Sequence, residues 1–199
     1  MTGLRSFLDG LTPAASEQWH WPAIGLRFDV TAYLTPLEPP VDLVASVRAI
    51  AMRGDDVFVF ESESDHDGGR IATATHVIPG GRREPGEAPD AALRREIREE
   101  TGCAISGTPR RLGFFHLRNL TPRDQLQPPP PAPYRYPYPD TLQWVFAAEV
   151  TGDATPSDDP FVLNGRFLPS TEAREAVGSV GERAFLDAAL VSNARRARS

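Results

Sequence analysis

Three glutamates, Glu96, Glu99 and Glu100, stand at i, i+3 and i+4, a spacing that a helix gathers on one face. Like charges stacked so closely weaken a helix unless something positive sits among them. A hard divalent cation with oxygen ligands answers that need. The surrounding stretch from Gly81 to Cys103, GRREPGEAPDAALRREIREETGC, adds Glu87, Arg95 and Gly102 at wider intervals. An REIREE run alone would be a solvated helix face. Pro79-Gly80-Gly81 upstream, Glu87 at its distance and Gly102 after the glutamate pair argue instead for a built metal site.

Such a cluster needs a helix with defined ends. Residues 91–100 are strong helix formers, Pro89 suits the first turn, and Gly102 is placed to stop the helix. Leu93 and Ile97, with Ala92 beside them, form its apolar stripe. Upstream, residues 44–52 read as a strand, 53–56 as a turn and 57–60 as the returning strand. A polar loop over 62–69 and a third strand over 70–78 follow, broken by Pro79-Gly80-Gly81. Downstream, strands are expected over 111–120, 141–150 and 165–168, and a loop over 151–159. The prolines of residues 121–140 (QPPPPAPYRYPYPD among them) dictate an extended or polyproline-like loop.

A C-terminal helix is expected over about 181–197, with Phe185, Ala188, Ala189 and Ser192 facing the body. Near the start, Leu4, Leu8 and Leu11 line one face of a short helix ended by Pro13, and residues 25–34 alternate as a strand. The chain thus divides into an extension, residues 1–40, lying on a main domain, residues 41–199, with no internal repeat. Hairpin strands, one diagnostic helix, further strands and a final helix describe an α/β sandwich.

Composition narrows the function classes. The 199 residues are 40% hydrophobic and 24% charged, as in ordinary globular domains. A net charge of −6 argues against broad binding to nucleic acid or an anionic membrane. The single cysteine, Cys103, excludes an intrachain disulfide and a cysteine-built zinc site, and reads as a small buried hydrophobe. No signal-peptide core or long apolar run is seen, so a cytoplasmic location is the expectation.

The pattern G-x5-E-x7-R-E-U-x-E-E-x-G-U, with U apolar, resembles the Nudix box at each fixed position: Gly81, Glu87, Arg95, Glu96, Glu99, Glu100 and Gly102. Matches of that length arise by chance in roughly one in 10⁸ windows, given average residue usage. Ile97 fits its apolar position, whereas Cys103 stands where a larger aliphatic is commoner, and His76-Val77-Ile78-Pro79-Gly80 is similar to the strand that leads into the box. The resemblance implies an α/β/α sandwich with a mixed sheet and a loop–helix–loop motif. It implies hydrolysis of a phosphoanhydride, with Mg²⁺ or Mn²⁺ held by Glu96, Glu99 and Glu100. The Gly80 carbonyl would complete the shell, and Glu87 would support it. Glu96 is also a candidate base. Arg95 is expected to orient the glutamates, since its planar fork suits carboxylates; Arg94 and Arg98 are expected to face solvent.

Weaker candidates lie outside the box. Asp140, and less so Asp124, would supply a further carboxylate. Tyr134, Tyr136 and Tyr138 would stack on a base, and Arg82 would meet substrate. Trp144 reads as strand core; Trp19 and Trp21 would pin the N-terminal segment; His66 and His76 lie near the expected mouth of the site, His20 and His116 show no ligand spacing, and all four read as non-catalytic. Marks of the ADP-ribose, diadenosine-polyphosphate and coenzyme A subgroups are not seen, which leaves a nucleoside di- or triphosphate, or a nucleoside diphosphate derivative, as the expected substrate. A homodimer is compatible with the resemblance. The rival readings are a ligand-binding sensor without turnover, and an isomerase acting on a prenyl diphosphate.

Overall fold

The computed structural model describes residues 2–21, 26–61, 76–125, 137–159 and 162–196. The elements are α1 (Thr2–Leu8), β1 (Ala15–Trp21), β2 (Leu26–Leu34), β3 (Val44–Arg53), β4 (Asp56–Glu61), β5 (His76–Val77), α2 (Pro89–Thr101), β6 (Ala104–Asn119), β7 (Asp140–Thr151), β8 (Leu163–Pro169), α3 (Ser170–Ala176) and α4 (Val180–Arg196). The loop over 62–69 with His66, most of the strand expected over 70–78, and Tyr134 and Tyr136 lie outside the described residues.

The strands form one mixed sheet in the order β1-β2-β6-β7-β3-β4-β5, with β8 pairing β4. β3 and β7 run parallel at its centre, while the other pairings are antiparallel. Both central strands are buried on both faces, which is why they read as nearly unbroken apolar runs. Alternation still sorts their side chains. Ile50, Met52, Val145 and Ala147 point toward α3 and α4, where Ala173, Phe185 and Leu186 close one core. Val47, Ala49, Trp144 and Phe146 point the other way, onto Leu93 and Ile97 of α2. The result is the expected α/β/α sandwich.

Two elements were not anticipated. β1 pairs along β2 from Ala15↔Ala32 to Trp21↔Leu26. Its pattern is masked because Glu17 occupies an inward position between Ala15 and Trp19. There Glu17 accepts hydrogen bonds from the Ser179 hydroxyl and from the Gly181 N–H, capping the start of α4. α3 is only seven residues long, too short for helical periodicity to stand out. α1 ends at Leu8, before Leu11, yet Leu4, Leu8 and Leu11 all pack on the α2-side core. Among the described residues no helix is long and apolar enough to cross a membrane.

Candidate active site

α2 spans Pro89–Thr101 with Pro89 in its first turn. Gly102 ends it in the left-handed region at φ 74°, its N–H donating to the Arg98 carbonyl at 3.0 Å. Ala92, Leu93 and Ile97 are fully buried against the sheet, which fixes the rotation of the helix. That rotation leaves Glu99 exposed but buries Glu96 and Glu100 at the helix edge, facing the turn that follows β5.

Glu100 carries the strongest electrostatic signature of the set. Burial pushes its carboxyl up to about 8, offset by the Gly80 N–H and the charge of Arg48, and reinforced by Glu96 and Asp159. The Gly80 N–H donates to Glu100 Oε2 at 2.6 Å, tying the helix to the turn. Glu96 is raised as well, chiefly by burial, with Arg95 opposing. Its carboxylate packs directly on Gly81, where any side chain would collide with it.

Arg95 is the hub. Its Nε and one terminal nitrogen grip both oxygens of Glu87 at 3.1 and 3.0 Å. The other terminal nitrogen donates to Glu96 at 2.7 Å and Glu99 at 3.0 Å, and a further bond reaches the Arg82 carbonyl at 2.8 Å. The hydrogen bonds from Arg95 hold Glu87 below the usual carboxylate range, and Arg95 itself is raised by the same contact. The geometry has the orienting form that the fork of arginine suits. Arg94 and Arg98 are exposed, Arg94 donating to the Ile105 and Gly107 carbonyls. Arg95→Lys is expected to keep the charge but lose the paired grip on Glu87, lowering kcat about 10- to 100-fold. Steady-state kinetics beside a thermal melt would check this; a kcat within twofold of wild type would remove the fork from the account.

The donor set suits a hard cation in kind: carboxylate oxygens, and a Gly80 carbonyl that accepts no hydrogen bond among the described residues. Its neighbours Pro79 and Gly81 spend theirs on Ala49 and Val47. Burial penalises the charge of Glu100, and a bound cation would relieve that penalty. The oxygens are not closed around one point: among the described residues no three acidic, histidine or cysteine groups are arranged as a ligand cage. Arg95 lies between Glu96 and Glu99 instead, holding one oxygen of each.

A second cluster, invisible in the sequence, braces the turn from the other face of the sheet. Glu182 of α4 is buried against Arg48 of β3 at 3.4 Å and accepts from the Ile78 N–H at 3.4 Å. Arg48 also donates to the Ile78 carbonyl at 3.0 Å and to Gln143 Oε1 at 3.1 Å. Burial pushes Glu182 up to about 7, with Arg48 and the Ile78 N–H opposing and Glu17 adding to the rise. Because the folded value lies above the ordinary 4.5, its contribution to stability is full below pH 4.5 and is lost as pH climbs toward 7. Removing that ionisation should flatten the profile. The stability of wild type relative to Glu182→Gln is expected to fall by up to about 1.4 kcal/mol per pH unit across that window. Urea unfolding of both proteins at several pH values would measure it, and parallel profiles would contradict it.

A cavity of about 250 Å³ opens beside Gly80, Gly81 and Arg82. Leu26, Phe28 and Leu117 make its apolar floor, and Pro137 and Pro139 form part of the wall. Arg82 is exposed at its edge. Tyr138 lies between the two prolines, its hydroxyl donating to the Thr121 carbonyl at 3.1 Å and its ring facing Arg123. Asp140 takes His116 at 2.8 Å and Arg118 at 3.3 Å. Neither Tyr138 nor Asp140 forms a hydrogen bond or ion pair with the box glutamates among the described residues. Trp144 is buried against Phe146 in the sheet, and Cys103 is buried at the helix exit. Asp159, whose charge bears on Glu100, comes from a loop with no distinguishing pattern.

A search of curated proteins found no match. Among solved structures, the MutT protein of Bacillus halodurans is similar at 18% identity, covering 71% of this chain and 78% of that one, with a TM-score of 0.51. A mutant form of the pyrophosphohydrolase BsRppH of Bacillus subtilis is similar at 16% identity over 91% and 97%, TM-score 0.52. A NUDIX hydrolase of Nitrosomonas europaea is similar at 17% identity over 76% and 88%, TM-score 0.50. At such identities the likeness is one of fold. The family model described as the NUDIX domain matches residues 42–188, from the start of the β3 region into α4 and including the whole glutamate helix. By that match the chain belongs to the Nudix family.

Proposed function

We propose that this protein is a Mg²⁺- or Mn²⁺-dependent hydrolase of a diphosphate linkage in a nucleoside di- or triphosphate, or in a nucleoside diphosphate derivative. The observation that carries the reading is Glu100, a carboxylate buried against the N–H of Gly80, a residue that itself lines the cavity of about 250 Å³. Family membership supports phosphoanhydride chemistry, and the fold neighbours named as hydrolases agree with it.

Glu96, Glu99, Glu100 and the Gly80 carbonyl are the proposed ligands. A divalent cation held there would polarise phosphoryl oxygens and acidify a water. Arg95 and Glu87 are positioning residues: through their mutual pairing they keep the glutamates in one pose. Glu96, raised by burial, is proposed to take the proton of the attacking water. Arg82, exposed at the cavity edge, is proposed to meet phosphate oxygens while the organic group enters the cavity.

The test is phosphate or pyrophosphate release across nucleotides and nucleotide sugars, with Mg²⁺ or Mn²⁺ and with chelator. Chelator-sensitive release from one substrate class is the expected result. Tight binding of a nucleotide without turnover would identify a sensor instead. Conversion of a prenyl diphosphate without phosphate release would identify an isomerase.

A further inference from the structure

The two side-chain amides in the wall of the cavity beside Gly80, Gln143 and Asn119, both retain hydrogen-bond donors. Gln143, buried on β7, has its amide oxygen 3.1 Å from Arg48 Nε. Arginine can only donate, so the oxygen must face Arg48 and the NH₂ group is what Gln143 retains. Asn119 on β6 is oriented by the same logic: the Thr121 backbone N–H donates to its oxygen at 2.9 Å. Among the described residues neither amide nitrogen is spent on another partner.

Several backbone acceptors around the same wall are already engaged, and the Gly80 carbonyl is the one proposed for the metal. The Pro139 carbonyl takes the Asn119 N–H at 2.8 Å, that of Gly81 takes Val47, and that of Ala45 takes Arg83. The Thr141 hydroxyl donates to the Leu43 carbonyl. No carboxylate lines the cavity among the described residues. An exocyclic amino group turned toward Gln143 or Asn119 would set donor against donor, leaving the buried Gln143 N–H groups unpaired. A ring with carbonyl oxygens would satisfy them.

Resting on the nucleotide-hydrolase reading, we infer that the cavity selects nucleotides whose base carries an oxo group over those with an amino group at the same ring position. Two pairs carry that difference, together with the adjacent ring nitrogen that is N–H only in the oxo member: UTP against CTP, and ITP against ATP. The oxo member of each pair is expected to show a kcat/KM at least about tenfold higher. Gln143→Glu keeps an oxygen for Arg48 and replaces donors with an acceptor, so it should lower or invert both ratios. Asn119→Asp does the same at a half-exposed position and serves if Gln143→Glu does not fold. Binding of the four nucleotides to Glu100→Gln, whose cavity is untouched, supplies a readout independent of turnover.

Turnover with ratios near one, a preference for CTP and ATP, or ratios unmoved by both variants would overturn the inference while leaving the hydrolase reading intact. Failure of all four nucleotides both to turn over and to bind would also overturn it. Chelator-sensitive phosphate release from non-nucleoside diphosphates would then show whether the hydrolase reading survives separately.

Discussion

Glu100→Gln is expected to lower kcat on the order of 10³-fold while leaving the protein folded and at least as stable without metal. The amide is the same size and still offers an oxygen to the Gly80 N–H, so the contact between helix and turn survives. What disappears is a charge that burial already penalises, as the rise of its carboxyl to about 8 indicates. The fold does not need that charge; the hard cation proposed for the helix edge would. Glu99→Gln should cost less, because Glu99 is exposed and already shared with Arg95. Kinetics with Mg²⁺ and Mn²⁺, beside thermal melts in chelator, would separate the two effects. If Glu100→Gln kept more than a tenth of wild-type activity, the buried carboxylate would be a structural feature only.

Gly80→Ala is expected to be severely damaging for a single methyl group. Gly80 sits at φ +142°, a region essentially restricted to glycine. An added Cβ would lie 2.5 Å from the Arg48 Cα and would collide with the Val47 carbonyl, both backbone of the central strand β3. No side-chain rotation relieves such a clash, so the turn must move and the bond to Glu100 must break. A loss of about 3 kcal/mol or more in stability is expected, together with loss of activity. Gly86→Ala is the control: its φ is +78°, yet nothing lies within 4 Å of the new methyl. That substitution should cost only about 1 kcal/mol. Urea midpoints of the two variants measured side by side decide the matter, and equal midpoints would refute the steric account.

The glutamate helix was legible because everything that defines it is local. Its limits follow from Pro89 and Gly102, its buried face from Leu93 and Ile97, and its chemistry from carboxylates within a single turn. The Arg95 hub was legible for the same reason, since Glu87, Glu96 and Glu99 all lie within eight residues of it. β1 was hidden because its inward Glu17 serves the cap of α4 rather than the core. A residue recruited to satisfy a distant helix end breaks the alternation by which a strand is read.

Motif chemistry, the helix that carries it and the class of sheet that supports it were determined by the sequence alone, through contacts between near neighbours. Tertiary structure decided which groups surround them. Arg48 meets Gln143 across 95 residues and Glu182 across 134, partners set by the parallel pairing of β3 with β7 and the docking of α4. Those long-range pairings orient the Gln143 amide, bury Glu182 and shape the cavity that the substrate is proposed to enter. No periodicity marks them, because each residue is ordinary in its own segment and acquires its chemistry only from the strand or helix that the fold brings beside it.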